Sequence, residues 1–457
     1  MLGYAATQHS PTMMEPGLLS GGLSHWEFGR FDAYCVNPPL VRMVAAVPVI
    51  IAGYNADWTA LHDAANARPE FQLGADFVKA NGRRSVRLFT LARWACLPFS
   101  VAGGVFCFLW SRELWGNSLA GLIAAVLWAF DPNILAHGEL ITPDCAATAM
   151  GLGACYMFWR WLRSATWASA AWAGVLLGVA ELTKTSWVIL FLLWPALVAG
   201  SLLCDLARGE RVSSEFIRPP RLAVQCVFIL LLGLYVLNFG YAFDGSFTPL
   251  KRFAFVSRSL TGLPKAGEIG NRFSGTWAGE IPVPLPEQYV RGIDLQKRDF
   301  EGYPQISYLR GEWKRGGWWY YYVYGLAVKT PHGTQILLVI AAFTLLAFKS
   351  KTVRGIPARA FVERDLAVLL APAVAILILV SSQTEFNHHL RYAFPALGFA
   401  FVFCGNVSLW FIAAPRVTSG FGAVGMMSAQ EAGFFSWLTA GCSRCDGRPT
   451  TQYVTND

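Results

Sequence analysis

Residues 222–241 read LAVQCVFILLLGLYVLNFGY, a run of 20 residues without an aspartate, glutamate, lysine or arginine. An α-helix needs about 20 predominantly apolar residues to cross the hydrocarbon core of a bilayer. A segment of this length and composition therefore predicts a transmembrane helix, and it decides the class to which the chain belongs.

Similar apolar runs recur along the chain. Of its 457 residues, 54% are hydrophobic and only 14% are charged, and the mean hydropathy is +0.40. This balance lies outside that of soluble globular proteins. The sequence predicts an all-α integral membrane protein, a polytopic helical bundle of about nine spans with extracytoplasmic loops and interfacial helices. The predicted spans are residues 88–110, 119–135, 145–162, 168–182, 187–206, 222–241, 318–348, 366–380 and 394–412.

The net charge of +8 does not indicate nucleic-acid binding, because the arginines and lysines concentrate in short loops between apolar runs. Such loops are typical of the cytoplasmic side, and orientation follows from them. The predicted cytoplasmic loops lie at residues 112, 160–163, 208–221 and 349–364, and the predicted external ones include residues 137–144, 183–186, 242–317 and 383–392. We expect a multi-pass integral membrane protein, in the plasma (inner) membrane if bacterial.

Five regions follow from this topology. An external amino terminus normally needs a preceding span, so we expect a first helix to be missing before Met1. Pro282, Pro284 and Pro286 oppose regular helix in the long external segment, which is expected to be partly ordered and lid-like. The predicted regions are an extracytoplasmic first loop with interfacial helices (1–86, including an apolar segment at 40–53), a first part of the bundle (87–241), an extracytoplasmic loop (242–317), a second part of the bundle (318–412) and a poorly ordered tail (413–457).

The ten cysteines do not form a disulfide pattern. Most lie inside apolar runs, where a thiol behaves as a small buried apolar group. Cys442 and Cys445 form a C-x-x-C pair, but no second pair or βαβ pattern accompanies them. No role is assigned to that pair.

The external turn at residues 131–144 holds the densest group of reactive side chains, among them His137, Glu139 and Asp144. Charged groups at membrane depth are costly and therefore indicate function. Proton abstraction from a hydroxyl would need a carboxylate of this kind. The alternative is a solvated interfacial loop in which Asp144 caps the next helix.

Two further external turns contain cations that suit a phosphate. Lys184 follows one span, and His389 and Arg391 precede another. The alternative for Lys184 is a side chain that extends to the membrane surface. Paired histidines at residues 388 and 389 are weak evidence for a metal, so the cofactor remains open, a divalent metal ion included.

The aromatic residues Trp318 and Trp319 open a predicted span. They suit stacking against a sugar or a polyprenyl chain. An interfacial aromatic belt explains them equally well.

In this order the segments resemble a bacterial branch of the GT-C membrane glycosyltransferases, a group that includes protein mannosyltransferases and the lipid A aminoarabinose transferase. The resemblance spans roughly residues 10–410. It depends on Met14-Glu15-Pro16-Gly17, Asn37-Pro38-Pro39-Leu40, the turn ending Thr142-Pro143-Asp144, Leu182-Thr183-Lys184, Gly317-Trp318-Trp319-Tyr320-Tyr321, Lys329-Thr330-Pro331 and His388-His389-Leu390-Arg391-Tyr392.

The resemblance implies a glycosyltransferase, hexosyl or pentosyl, that moves a sugar from a polyprenyl-phosphate-linked donor to an acceptor hydroxyl outside the cell membrane, with inversion. It implies catalytic roles for Glu15 and Asp144. It implies that Asp144 contacts the donor phosphate or a metal or orients the acceptor, and that substrate binding by Lys184, Arg391 and His389 holds the carrier phosphate. Glu139, His137, Trp318 and Trp319 are substrate-binding candidates from their own positions in the turns. The acceptor is left open between lipid, protein and glycan, and the other partners are membrane lipids.

The chain departs from the family pattern at Met14, where the family has the aspartate taken as its catalytic base. Methionine cannot accept a proton. Either Glu15 serves, or Glu27 or Asp32 substitutes, or this copy is impaired. The alternatives are thus a catalytically impaired relative that binds lipid-linked sugar and, from a different class, a membrane transporter or flippase, which would need charges near the bilayer midplane.

Overall fold

The structure is a computed structural model that describes residues 1–207, 219–302, 306–348, 363–383, 387 and 389–413. The tail with Cys442 and Cys445, most of the predicted cytoplasmic loops at 208–221 and 349–364, and His388 lie outside the described residues. The described chain is mostly helical, as the apolar runs predict, and its described β-strands form a two-stranded hairpin.

The first half of the chain forms ten α-helices. They are α1 (Leu2–Gln8), α2 (Glu15–Phe28), α3 (Leu40–Ala52), α4 (Glu70–Asn81), α5 (Arg84–Trp115), α6 (Ser118–Phe130), α7 (Pro132–His137), α8 (Asp144–Ser164), α9 (Trp167–Glu181) and α10 (Leu190–Ala207). A 3-10 helix, Thr185–Ile189, leads into α10.

The second half adds eight α-helices and the hairpin. They are α11 (Pro219–Gly240), α12 (Arg258–Thr261), α13 (Glu287–Gly302), β1 (Ser307–Leu309), β2 (Glu312–Lys314), α14 (Tyr321–Lys329), α15 (His332–Phe348), α16 (Glu363–Ser382), α17 (Phe394–Cys404) and α18 (Ser408–Ala413). Short 3-10 helices lie at Leu250–Arg252, Trp277–Glu280, Leu390–Ala393 and Gly405–Val407.

The predicted number of spans is not matched, although each predicted segment is helical over most of its length. Within the described ranges, five helices are long and apolar enough to cross a membrane, or six if α14 and α15, which meet at an angle of 107°, count as one. Two of the remaining predicted spans, α6 and α9, are helices of only 13 and 15 residues. The predicted span at residues 318–348 is thus broken between α14 and α15.

Helix α8 is the third predicted span outside that set, and its position explains its composition. It packs against α5, α9 and α17, and 17 of its 21 residues are buried. Small residues allow this close packing: a Cβ at Gly151 would lie 1.8 Å from the Trp187 ring. A helix enclosed by other helices does not need an apolar surface on every side, so its sequence reads as a weaker span.

The amino-terminal helices form a layer of their own. Helices α2, α3 and α4 pack together and against α5 through apolar side chains such as Leu19, Ala45, Phe77 and Phe89. The apolar segment at 40–53 forms helix α3, which buries Val49 while Ile51 remains 82% exposed. This layer brings the Asn37-Pro38-Pro39 segment against the end of α9, where the Leu40 amide donates to the Leu182 carbonyl at 3.1 Å.

The proline-rich external segment at residues 242–317, which the sequence predicts to be partly ordered, contains a regular helix in its second half. Helix α13 begins at Glu287, directly after Pro286, and runs for 16 residues. Proline fixes φ in the helical range and is tolerated before a first helical turn, so the proline cluster delimits this helix rather than preventing it. Helix α13 is tied to α9 by Tyr289, whose hydroxyl donates to Glu181 Oε2 at 2.6 Å.

The two ends of the bundle differ in the polar residues that lie there. At one end, Tyr156 donates to Glu113 at 2.6 Å and Trp159 donates to Asp365 at 2.9 Å. The amino-terminal layer, α13 and the turns that carry the predicted site residues meet at the other end.

Candidate active site

A buried ion-pair cluster lies where three turns of the chain meet. Lys184 Nζ is 2.8 Å from Asp144 Oδ1, and Arg391 Nε is 3.8 Å from Asp144 Oδ2. The Lys184 ammonium also lies 4.9 Å from the centroid of the Tyr392 ring. Two cations thus share one carboxylate, which leaves one positive charge in excess. We call Asp144, Lys184 and Arg391 the shared-carboxylate cluster.

The local sequence explains how each member reaches this point. Asp144 occupies the first turn of α8 directly after Pro143, where the positive end of the helix dipole favours a carboxylate. Lys184 lies in extended conformation between the end of α9 and the next 3-10 helix. Arg391 belongs to the 3-10 helix that precedes α17. All three therefore come from the ends of helices, at the same end of the bundle.

The cluster forms one wall of a cavity of about 300 Å³. Met14 and Tyr34 from the amino-terminal layer contribute to the lining, as do Gln296 and Phe300 from α13. The other described residues that line it are Met13, Leu18, Val36, Asn37, Arg68, Phe71, Thr142, Pro143, Arg298, Asp299, His389 and Tyr392. Apolar, aromatic and charged groups are combined there, as in a pocket for an amphiphilic ligand.

A second ionic group, which the sequence did not indicate, contributes another part of the lining. Asp299 Oδ2 accepts from Arg68 Nη1 at 3.1 Å, and Asp299 Oδ1 accepts from Arg298 Nη2 at 2.6 Å. Arg68 also donates to Glu70 at 2.5 Å. Among the described residues that line the cavity, four side chains are cationic and two are anionic, so the cavity favours an anion.

Glu15 is not among the residues that line the cavity. It is fully buried and forms a two-pronged ion pair with Arg93, with Nη2–Oε2 at 2.7 Å and Nε–Oε1 at 2.8 Å. It also accepts from the Thr12 amide and hydroxyl at 2.7 and 3.0 Å and from the Ile141 amide at 3.3 Å. Both oxygens of this carboxylate thus accept hydrogen bonds from other groups of the protein.

Met14 occupies the position of the family aspartate, and Glu27 and Asp32 are the other carboxylates that the sequence offers as substitutes. Met14 lines the cavity. Glu27 accepts from the Tyr54 hydroxyl at 2.6 Å, and Asp32 pairs with Arg30. Neither of the two carboxylates belongs to the described lining, so the structure does not bring them to the shared-carboxylate cluster.

The turn at residues 131–144 places its other candidates beside the cavity rather than in its lining. Glu139 accepts from His9 Nδ1 at 2.6 Å. His137 packs edge-on against Phe394, with ring centroids 4.8 Å apart. Burial lowers the pKa of His137 below its ordinary value, and Asp144 opposes that effect while Arg391 and Lys184 reinforce it. His137 is therefore a neutral imidazole close to the cluster.

The remaining predicted residues divide in the same way. His389 lines the cavity, whereas Trp318 and Trp319 do not. The Trp318 amide donates to Asn387 at 2.5 Å, and the Trp319 side chain is 69% exposed. Within the described ranges, no three His, Cys, Asp or Glu side chains are grouped so that they would hold a metal ion. The free cysteines in the apolar runs, Cys96, Cys107, Cys155, Cys226 and Cys404, are buried as predicted.

Comparison with known proteins gives a family match to part of the chain. Residues 30–244 match the family model of dolichyl-phosphate-mannose-protein mannosyltransferase. Asp144 and Lys184 lie inside the matched residues. The match confirms the resemblance to the GT-C membrane glycosyltransferases. No curated protein matches the chain.

Two solved structures match the chain at low sequence identity. ArnT from Cupriavidus metallidurans in the apo state is 15% identical, with a TM-score of 0.45, over 89% of this chain and 57% of that one. ArnT from the same organism bound to undecaprenyl phosphate is 14% identical, with a TM-score of 0.33, over 89% of this chain and 75% of that one. The chain thus spans 57% of the length of the first of these proteins.

Proposed function

We propose that the chain is a membrane glycosyltransferase that transfers a sugar from a polyprenyl-phosphate-linked donor to an acceptor hydroxyl at the extracytoplasmic face. The observation on which this depends is the shared-carboxylate cluster in the wall of a cavity that also has apolar and aromatic lining. A lipid-phosphate sugar has matching parts: an anionic phosphate, a polar sugar and an apolar chain.

Lys184 and Arg391 would hold the phosphate. Both cations contact the single carboxylate of Asp144, and a second anion would balance the remaining positive charge. Arginine binds phosphate through several donors of a planar group, while lysine acts as a compact charge. Arg68 and Arg298 add further positive charge to the lining, although Asp299 balances part of it.

The reaction would be a direct displacement with inversion. The acceptor oxygen forms a bond to the anomeric carbon, the bond from that carbon to the phosphate oxygen breaks, and its electron pair leaves with the polyprenyl phosphate. The acceptor proton passes to Asp144. This carboxylate is free to accept it because Lys184 and Arg391 contact the bound phosphate instead. Because the leaving phosphate gains negative charge, Lys184 and Arg391 would stabilise the transition state more than the bound donor.

The test is transfer by the purified full-length chain from a radiolabelled mannosyl-phosphate polyprenol to acceptors in membrane extracts. We expect Asp144→Asn and Lys184→Met each to lower the transfer rate by at least about 10²-fold, the usual effect of removing one preorganised group at such a site. Normal turnover in either variant would overturn the assignment.

Each single variant also leaves a buried charge without its partner, which is destabilising in itself. The double variant Asp144→Asn/Lys184→Met removes both charges and is expected to melt closer to the wild type while transfer stays lost. Lys251→Ala, which breaks the exposed Lys251–Glu280 pair, is the control for a lysine outside the cavity. Recovery of transfer in the double variant would mean that the pair serves only folding.

A second candidate is a relative that binds lipid-linked sugar without transferring it. Met14 favours this candidate, because it lines the cavity where the resemblance leads one to expect a carboxylate. In the same assay, saturable binding of the labelled donor by the wild type with no transfer to any acceptor would support it over the enzyme.

A further inference from the structure

The hydroxyl of Thr142 is buried without a hydrogen bond to the part of the chain that the structure describes. Its residue is only 4% exposed, and Oγ1 has no hydrogen-bond partner among the described residues. Thr142 nevertheless lines the cavity. Buried polar groups are almost always hydrogen-bonded, so one without a partner needs an explanation.

Helix capping does not explain this hydroxyl. A threonine before Pro143 and the start of a helix is an expected cap, since its oxygen would accept from a free amide of the first turn. Helix α8 begins without any side-chain cap. The Thr142 hydroxyl therefore does not cap α8.

Other buried threonines of the bundle differ from Thr142 in this respect. Thr148 donates to the Asp144 carbonyl at 2.9 Å, and Thr183 donates to the Ala180 carbonyl at 2.5 Å. Thr344 donates to the Ile340 carbonyl at 2.7 Å. Each of these hydroxyls is satisfied by its own helical turn, and none of these residues lines the cavity.

We propose that Thr142 is a sugar-binding residue: its hydroxyl hydrogen-bonds a hydroxyl of the glycosyl group on the lipid-phosphate donor. The proposal depends on the function proposed above. Thr142 lies two residues before Asp144, beside the cations that would hold the phosphate. Its own hydroxyl is neutral, as are the polar side chains of Asn37 and Gln296 in the same lining.

The chemistry of the lining favours a sugar hydroxyl over the phosphate as the partner. A phosphate is drawn to the ammonium and guanidinium groups, whose hydrogen bonds are about twice as strong as neutral ones. A sugar hydroxyl both donates and accepts, which a threonine hydroxyl matches. The aromatic rings of Tyr392 and Phe300 in the lining add apolar faces for the sugar ring.

The experiment compares two ligands on the purified full-length chain in nanodiscs. One is undecaprenyl phosphate and the other is mannosyl-phosphate undecaprenol, each titrated against the wild type, Thr142→Val and Thr142→Ser. For Thr142→Val we expect roughly 3- to 10-fold weaker binding of the glycosylated lipid, the usual effect of losing one neutral hydrogen bond. Binding of undecaprenyl phosphate stays unchanged in Thr142→Val, and Thr142→Ser is expected to bind both lipids as the wild type does.

The matched control is Thr148→Val, which removes a buried hydroxyl that is satisfied inside α8. It is expected to bind both lipids as the wild type does. Equal weakening of both lipids in Thr142→Val, or no weakening of either, would overturn the proposal. If the wild type binds neither lipid, the proposed function itself fails. If Thr142→Val does not fold, Thr142→Ser still tests the proposal, because weak sugar binding in this variant would contradict it.

Discussion

Two buried carboxylates near the same end of the bundle form ion pairs, but they differ in how completely their oxygens are hydrogen-bonded within the protein. Glu15 accepts five hydrogen bonds from Arg93, Thr12 and Ile141 and is 0% exposed. Asp144 holds one close cation at 2.8 Å and a second at 3.8 Å, and it lines a cavity. The first arrangement is complete within the protein, while the second leaves positive charge and open volume.

The difference separates structure from function better than residue type does. A carboxylate whose oxygens are fully bonded would have to break those bonds before it could accept a proton. A carboxylate shared between two cations beside a cavity can release those cations when an anionic ligand binds to them. We therefore interpret the Glu15–Arg93 pair as a tie between α2 and α5, and the shared-carboxylate cluster as the site.

The largest expected effect concerns the complete pair. Glu15→Gln would leave the Arg93 guanidinium buried without its counterion, and breaking such a pair typically destabilises a protein by about 3–5 kcal/mol. We expect a marked fall in the melting temperature of the purified protein. Transfer should fall only in proportion to the loss of folded protein.

Glu280→Gln, in the exposed Lys251–Glu280 pair, is the control and should melt as the wild type does. A Glu15→Gln variant that melts normally yet transfers no sugar would reverse the interpretation. Glu15 would then be the catalytic base that the resemblance implies.

An intermediate effect is expected at the shared-carboxylate cluster. Arg391→Lys keeps the positive charge but loses the planar guanidinium, which is not equivalent at a phosphate site. Loss of one charged hydrogen bond would lower kcat/KM for the donor by at least about tenfold. Arg391 and the carrier would be unrelated if the variant kept the wild-type kcat/KM.

The smallest effect is expected at Met14. A missing general base would lower the rate by about 10²- to 10⁴-fold. If Asp144 already accepts the proton, Met14→Asp adds a carboxylate that the reaction does not need, and we expect transfer to change by less than about threefold. A gain of a hundredfold in the same assay would identify Met14 as the lesion of an impaired enzyme.

The sequence predicted the shared-carboxylate cluster because its members lie at the ends of apolar runs. Asp144, Lys184 and Arg391 follow or precede spans, and alternation of the helices brings such positions to one side of a bundle. The helices could also be predicted, because hydropathy and the length of an apolar run are local properties. They can be read from the sequence without knowing which residues are in contact.

The parts that were missed depend on contacts that no local pattern reports. Arg68 and Asp299 belong to polar segments distant in sequence, and only the packing of α13 over the amino-terminal layer joins them. The expectation that Glu15 is catalytic came from the resemblance, and no local pattern reports that Glu15 pairs with Arg93. Thr142 was visible in its motif, but the lack of a partner for its hydroxyl is a property of the folded chain alone.

The enclosure of α8 has a consequence for how the protein is made. This helix begins with Asp144, and the cation that pairs with its carboxylate, Lys184, lies 40 residues later in the chain. A charged carboxylate at membrane depth is costly unless it is paired. The final position of α8 in the bundle therefore depends on the arrival of α9 and of the turn that follows it.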